Sequence, residues 1–298
     1  MHIRSCLLLL ALSIFPAATL AQEASQPAAS EAESPAFHTV PELTAGFNLL
    51  YQQKFTEARA AFESWKSRNP HEPFGEVAIA ATYLYEEMYR QGALTSDFFL
   101  NEKQFLHGID GKPDPERMAH FREALTRARQ LARGKQKSNP KDPEALFALT
   151  LAAGMESDAD SILEKRQLDA LKRMKEANEY AKQLLAQHPD ATDAYIAMGI
   201  ANYIIGSLNP GFRFALWFGG IHGDKRLGME QVGKAAENGR YLRPFGKIML
   251  ALAARREKQN DLAQKLLREL TEEFPSNDLF ASEYAKAMGR PIPAVLQR

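Results

Sequence analysis

A recurrence of 34 residues constrains this chain more than any other feature. Gly46, a small residue in an apolar-periodic segment, is followed after a turn by Phe55, Ala58 and Phe62 at helical spacing. Pro70 closes that unit, and the next small residue, Ala80, stands 34 residues after Gly46. Near the C-terminus the same offsets return with Ala251, Ala263, Leu267, Leu270 and Pro275, and Pro244 occupies the first helical position. The spacing has a physical cause. Small residues let antiparallel helices approach, large apolar residues fill the space beside them, and proline stops the second helix before the next begins. The stretch Ala177 to Tyr203 shows one such seam: Ala177, Ala181 and Leu184 end a helix, Pro189 interrupts, and Tyr195, Met198 and Gly199 open the next. From Val40 onward the helical period dominates and no convincing alternating strand emerges, so the fold class is all-α.

These offsets resemble the tetratricopeptide repeat (TPR) position by position in the first and last units. The resemblance implies an α-solenoid of about five TPR-like helix pairs, in units near 39–72, 73–142, 143–191, 192–243 and 244–277 of a single domain, 39–298. A helix from about Asp278 to Met288, stopped by Gly289 and Pro291, caps the stack within 278–289. Successive small anchors Ala80, Thr150, Gly199 and Ala251 stand 70, 49 and 52 residues apart, so extra chain lies inside the three middle units. Two of those units end on schedule, with Ala128 before Pro140 and Ala177 before Pro189, whereas no proline closes the fourth near Tyr241.

The first insertion, about Gln91 to Glu116, offers Phe98, Phe99 and Phe105 to pack back on the stack. Its Asp110, Asp114 and Glu116 are oxygen ligands in type, but Pro113 and Pro115 break calcium-loop spacing. The second, MESDADSILEK, reads as a lengthened start of the second helix, with Ser157, Asp158 or Asp160 as N-caps. The third joins glycines to an aromatic cluster, GSLNPGFRFALWFGGIHG from Gly206 to Gly223. Within about 203–239, Ser207-Leu208, Pro210, Leu216, Phe218-Gly219, Gly223-Asp224, Arg226 and Gly228 resemble the eukaryotic TPR family that includes the mitochondrial inclusion-body-clearance protein. That resemblance implies a repeat scaffold and carries no site residue.

Met1 to Ala21 has one early cation, Arg4, an apolar run from Leu7 to Phe15, and small residues near Ala21. This is the pattern of a secretory signal peptide, and the run falls short of the ~20 residues that span a bilayer. Export to the periplasm or beyond is therefore expected, for a soluble protein. Cys6, the only cysteine, departs with residues 1–21, so the mature chain has no disulfide or thiolate chemistry. Residues 22–38, rich in Ala, Ser, Glu and Pro, read as a disordered linker.

The 37 basic and 37 acidic residues balance and make no electrostatic case for nucleic acid. The sequence holds no HExxH, GxSxG or CxxC, Asp224 interrupts any phosphate-loop spacing at Lys225, and the scattered histidines share no metal spacing. His222 and Asp224 beside Ser207 lack a nucleophile elbow. No catalytic, cofactor-binding or metal residue is expected, and the chain does not read as an enzyme. What rises above background is the helix face that lines the inside of a TPR superhelix. That face offers Phe47, Tyr51, Phe74, Tyr85, Phe147, Leu151, Ile196, Ile200 and Tyr203, with Arg255 and Arg256 at its far end. Either it is a groove for a partner, or the insertions bury it as core. The open groove predicts a cell-envelope scaffold that binds a protein or peptide, and alternatively a carrier of a small apolar ligand or lipid, such as a transporter-associated binding component. Residues 212–218, with five large apolar side chains, add a minor expectation of peripheral membrane contact.

Overall fold

Proline and short polar caps set where the helices of this chain begin. Pro41, Pro73, Pro115, Pro143 and Pro244 each lie in the first turn of a helix, where a missing N–H costs nothing. Asp114, Asp142, Asp224 and Asn277 accept hydrogen bonds from first-turn N–H groups. In the computed structural model, which describes residues 39–292 apart from Gly219, the outcome is helical throughout. The expected signal peptide, 1–21, and linker, 22–38, lie outside the described residues.

In chain order the helices are α1 (Pro41–Tyr51), α2 (Phe55–Arg68), α3 (Pro73–Arg90), α4 (Ser96–Leu100), α5 (Glu102–His107), α6 (Pro115–Ser138) and α7 (Pro143–Asp158). A π-helical turn, Ala159–Leu163, extends α7, and α8 (Gln167–Leu185) follows. After a 3₁₀ turn come α9 (Tyr195–Ser207), α10 (Pro210–Phe218), α11 (Lys225–Asn238), α12 (Arg243–Arg256), α13 (Asn260–Glu273) and α14 (Asp278–Ala287). Five antiparallel pairs result: α1 with α2, α3 with α6, α7 with α8, α9 with α11, and α12 with α13. Each pair also packs on the next, which is a TPR-like α-solenoid, and α14 caps α13. Extra chain lies inside the three middle pairs, as α4–α5, the π turn and α10.

The small anchors perform the role their spacing implies. Gly46, Ala80, Thr150, Gly199 and Ala251 are all buried where two helices touch. Glycine is required at the α9–α11 crossing. A Cβ on Gly228 would lie 2.6 Å from the Tyr203 nitrogen, and one on Gly206 would lie 2.7 Å from the Lys225 nitrogen. The glycine-rich third insertion is thus a close-packing device between two backbones.

The second insertion differs from its expectation. It lengthens the first helix of its pair rather than the second, because Met155, Ala159 and Leu163 recur at four-residue spacing and bury one face past Asp158. Helix α8 begins only at Gln167, after Lys165 adopts a positive φ of 60°, so Ser157, Asp158 and Asp160 cap nothing. Ser157 instead donates to the Ala170 carbonyl at 2.9 Å, and Asp160 pairs with Arg166.

Two features close the array. The loop residue Tyr241, just before α12, accepts from the Val40 nitrogen through its hydroxyl at 2.8 Å, and its carbonyl accepts from the Tyr51 hydroxyl at 2.9 Å. Asn277, at the head of α14, donates to the Tyr51 carbonyl at 2.7 Å, and the Tyr51 ring meets Phe274 at 5.6 Å. The first pair therefore rests on the last. Separately, the fully buried Glu87 of α3 takes Arg117 at 2.5 Å, Gln91 at 2.8 Å and the Asp114 nitrogen at 3.1 Å, fixing where α6 re-enters after the first insertion. A buried carboxylate so fully bonded is tolerated, whereas removing one partner of such a pair costs about 3–5 kcal/mol.

Candidate functional site

The inner face of the helix pairs is where the sequence directs attention, and the structure fills it. Phe47, Phe74 and Phe147 come from the first helices of three successive pairs, and their rings meet in sequence at 5.9 and 5.3 Å. Tyr241 completes this ladder at 5.4 Å from Phe47 and 5.1 Å from Phe74. All three phenylalanines are buried, as are Ile196 and Tyr203. Tyr51, Tyr85, Leu151 and Ile200 keep partial exposure while packing on the same core. Five of the eleven residues are therefore protein interior, not groove lining. The reason is the closure through Tyr241 together with the first insertion.

Arg255 and Arg256 show how the insertion takes part. Arg255 bonds the buried Ser96 hydroxyl and approaches Glu283 at 3.4 Å. Arg256 donates to the Phe99 carbonyl at 2.6 Å and lies 4.4 Å over the Phe105 ring. Lys286 of α14 reaches Asp97 at 2.7 Å. The two cations expected at the far end of the inner face instead hold α4 and α5 against α12. Phe98 is buried, while Phe99 and Phe105 line a cavity of about 70 Å³ with Ile200, Tyr203, Ile204 and Met249.

Burial governs the ionisable groups of this interior. It pushes the Asp158 carboxyl up to about 7 and raises the Tyr85 phenol far above its usual value, with the Asp158 charge adding to the Tyr85 shift. It likewise raises Tyr51, next to Tyr85 in effect, and brings Tyr203 to about 12, where Glu257 accepts the Tyr203 hydroxyl at 3.1 Å. Asp193 is held at about 6 by burial, even though the nitrogens of Tyr241 and Leu242 donate to it at 3.0 and 3.2 Å. Through those bonds Asp193 fastens the loop carrying Tyr241 and caps the approach to α12, which is a structural role. Among the described residues no group of three or more His, Cys, Asp or Glu is placed to hold a metal ion, and Asp114 of the first insertion caps α6 and faces Arg117.

Sequence reasoning missed a second concavity. Between α11, α12 and the start of α13 lies an open groove of about 510 Å³. Met229, Leu250 and Leu262, all half-buried, lie along it with exposed Arg226, Glu230 and Gln259, and an ion pair of Lys225 with Glu257 at 2.7 Å crosses one end. Its apolar residues occur once on each of three helices, so no single segment shows a signal.

Residues 248–277 match a tetratricopeptide-repeat family model. The matched span is most of α12 and all of α13, the uninterrupted last pair, and it contributes Leu250, Glu257, Gln259 and Leu262 to the groove. No curated protein matches the chain. The match identifies a TPR-type repeat, a module commonly used to bind proteins.

Proposed function

We propose that this protein is an exported, non-catalytic TPR-type scaffold that binds a protein or peptide in a cell-envelope complex, and that it does so at the α11–α12–α13 groove. One observation carries the reading. The inner face is occupied by the chain's own α4, α5 and Tyr241, while the groove beside the matched repeat is open and combines apolar residues with charges of both signs. An amphipathic peptide helix fits such a surface, its apolar stripe on Met229, Leu250 and Leu262 and its polar edges against Arg226 and Glu230. Export rests on the charge, apolar run and small residues of positions 1–21. The likeness of about 203–239 to the eukaryotic inclusion-body-clearance family contributes architecture: Gly206, Gly223 and Gly228 sit at close backbone approaches, and Asp224 caps α11.

The second reading, a carrier of a small apolar ligand or lipid, draws on the cavity beneath Phe99 and Phe105. At about 70 Å³ it lies well below the ~300–1,000 Å³ typical of small-molecule sites, so it ranks behind the scaffold. Affinity capture from envelope extract, with wild type beside a Met229→Glu/Leu262→Glu variant, tests the proposal. A partner held by wild type and lost from a variant of unchanged circular dichroism supports it. Equal capture by both removes the groove, and co-purifying lipid in a native mass spectrum favours the carrier.

A further inference from the structure

Helix α10 stands apart from the packed array. None of its residues is buried, and Phe212, Phe214, Trp217 and Phe218 are 65, 62, 55 and 72 % exposed. Phe214, Trp217 and Phe218 follow i, i+3, i+4 spacing, and their rings gather on one side, with Phe218 4.9 Å from Phe214 and 5.4 Å from Trp217. Leu216, the least exposed large residue of the helix, lies on the opposite side. The other exposed large apolar residues, such as Tyr89 and Leu168, are far apart in sequence and on other helices. An aromatic cluster of this kind on a soluble surface marks an interaction site.

Charge decides the partner. From Ala194 to Gly223 the chain carries no acidic residue, and Arg213 sits within the helix. Arg226 is exposed in the first turn of α11. Asp224 is the nearest carboxylate along the chain; it caps α11 through the Leu227 nitrogen at 2.9 Å, and that bond together with Arg226 and Arg213 keeps its carboxyl below the usual range. Trp and Phe with interspersed arginine and no carboxylate suit the boundary between anionic headgroups and acyl chains. Nine residues rise only ~13 Å, so the helix can lie in the interface but cannot cross a bilayer. We propose that α10 is a membrane-surface anchor, which inserts Phe214, Trp217 and Phe218 into an anionic lipid leaflet while Arg213 and Arg226 meet its headgroups. This goes beyond the scaffold reading; the ring face of α10 lies outside the groove, which shares only Arg226 with it, so the ring substitutions let either reading fail alone.

The chain has two tryptophans, and the second, Trp65, is buried. Trp65→Phe therefore leaves Trp217 as the reporter. Added to vesicles of equal parts phosphatidylcholine and phosphatidylglycerol, Trp217 emission should shift to the blue and be quenched by brominated acyl chains. In flotation of the otherwise natural chain, Phe214→Ser/Phe218→Ser should lower partitioning roughly a hundredfold, each buried ring being worth about tenfold or more. Both substitutions are on exposed positions and leave the fold intact, and the N-terminal segment is common to both proteins. Arg213→Glu/Arg226→Glu should abolish the preference over pure phosphatidylcholine. Unchanged Trp217 emission with anionic vesicles, equal flotation of wild type and the double-serine variant, or protection of α10 by a protein partner instead of lipid would each overturn the proposal.

Discussion

Replacing Gly199 tests the packing logic at the α9–α11 crossing. A Cβ at this position would lie 2.6 Å from Val232 Cγ2, 2.8 Å from the Gly228 carbonyl oxygen and 2.8 Å from the Val232 nitrogen. The first neighbour is a β-branched side chain with little rotamer freedom, and the other two are backbone of α11. Relief therefore requires α11 to move as a body. By helix propensity alone Gly→Ala gains about 0.5–1 kcal/mol, whereas overpacking costs about 1–3 kcal/mol, so Gly199→Ala should be mildly destabilising. Gly199→Leu should be worse, since its branch has nowhere to go in a crossing also closed by Gly228. At about 2–4 °C per kcal/mol for a domain of this size, the leucine variant should melt several degrees or more below wild type in a circular-dichroism scan. A leucine variant that melts like wild type would refute the close α9–α11 crossing and the repeat register built on it.

Three further outcomes follow from single contacts. Arg256→Ala should leave α4 and α5 loosely held, visible as faster amide exchange over 96–107, with a stability loss of about 1–3 kcal/mol from the lost Phe99 bond and Phe105 stacking. Tyr241→Ala should cost about 3–5 kcal/mol in urea titration and speed exchange in α1, because its ring and its hydroxyl hold the first pair. Asp158 binds its proton more tightly in the folded chain, with a pKa of about 7, than unfolded. Its contribution to stability is thus present at low pH and is lost as pH rises from ~4 through about 7. The urea midpoint of Asp158→Asn should therefore gain on wild type across that interval, and a pH-independent difference would show that burial does not govern this carboxyl.

Much of the fold was legible because the repeat is encoded locally. Gly46, Ala80, Thr150, Gly199 and Ala251, read with Pro70, Pro140, Pro189 and Pro275, place the helix pairs and the extra chain between them by spacing alone. The second insertion was misjudged because its polar string, Glu156 to Asp160, hides the apolar i, i+4 sequence Met155, Ala159 and Leu163 that carries α7 onward. The fate of the inner face was not legible, since it depends on contacts between residues 157 to 201 positions apart. Val40 with Tyr241, Ser96 with Arg255, and Phe99 with Arg256 meet only when the array has curved enough for its ends to touch. No local pattern distinguishes an arginine that lines a groove from one that fastens an inserted helix. The outer groove escaped for a related reason, with one apolar side chain drawn from each of three helices.

Closure of the array is the claim on which the filled inner face depends, and cross-linking measures it most directly. Ser276, after α13, donates to Gln52, after α1, at 3.1 Å. In a Cys6→Ser background, Gln52→Cys and Ser276→Cys should be joined within one molecule by a short bismaleimide in high yield, as read by the mass of the peptide pair. An array that stays open holds these positions at its two ends, and the absence of an intramolecular cross-link while each thiol still reacts singly would contradict closure.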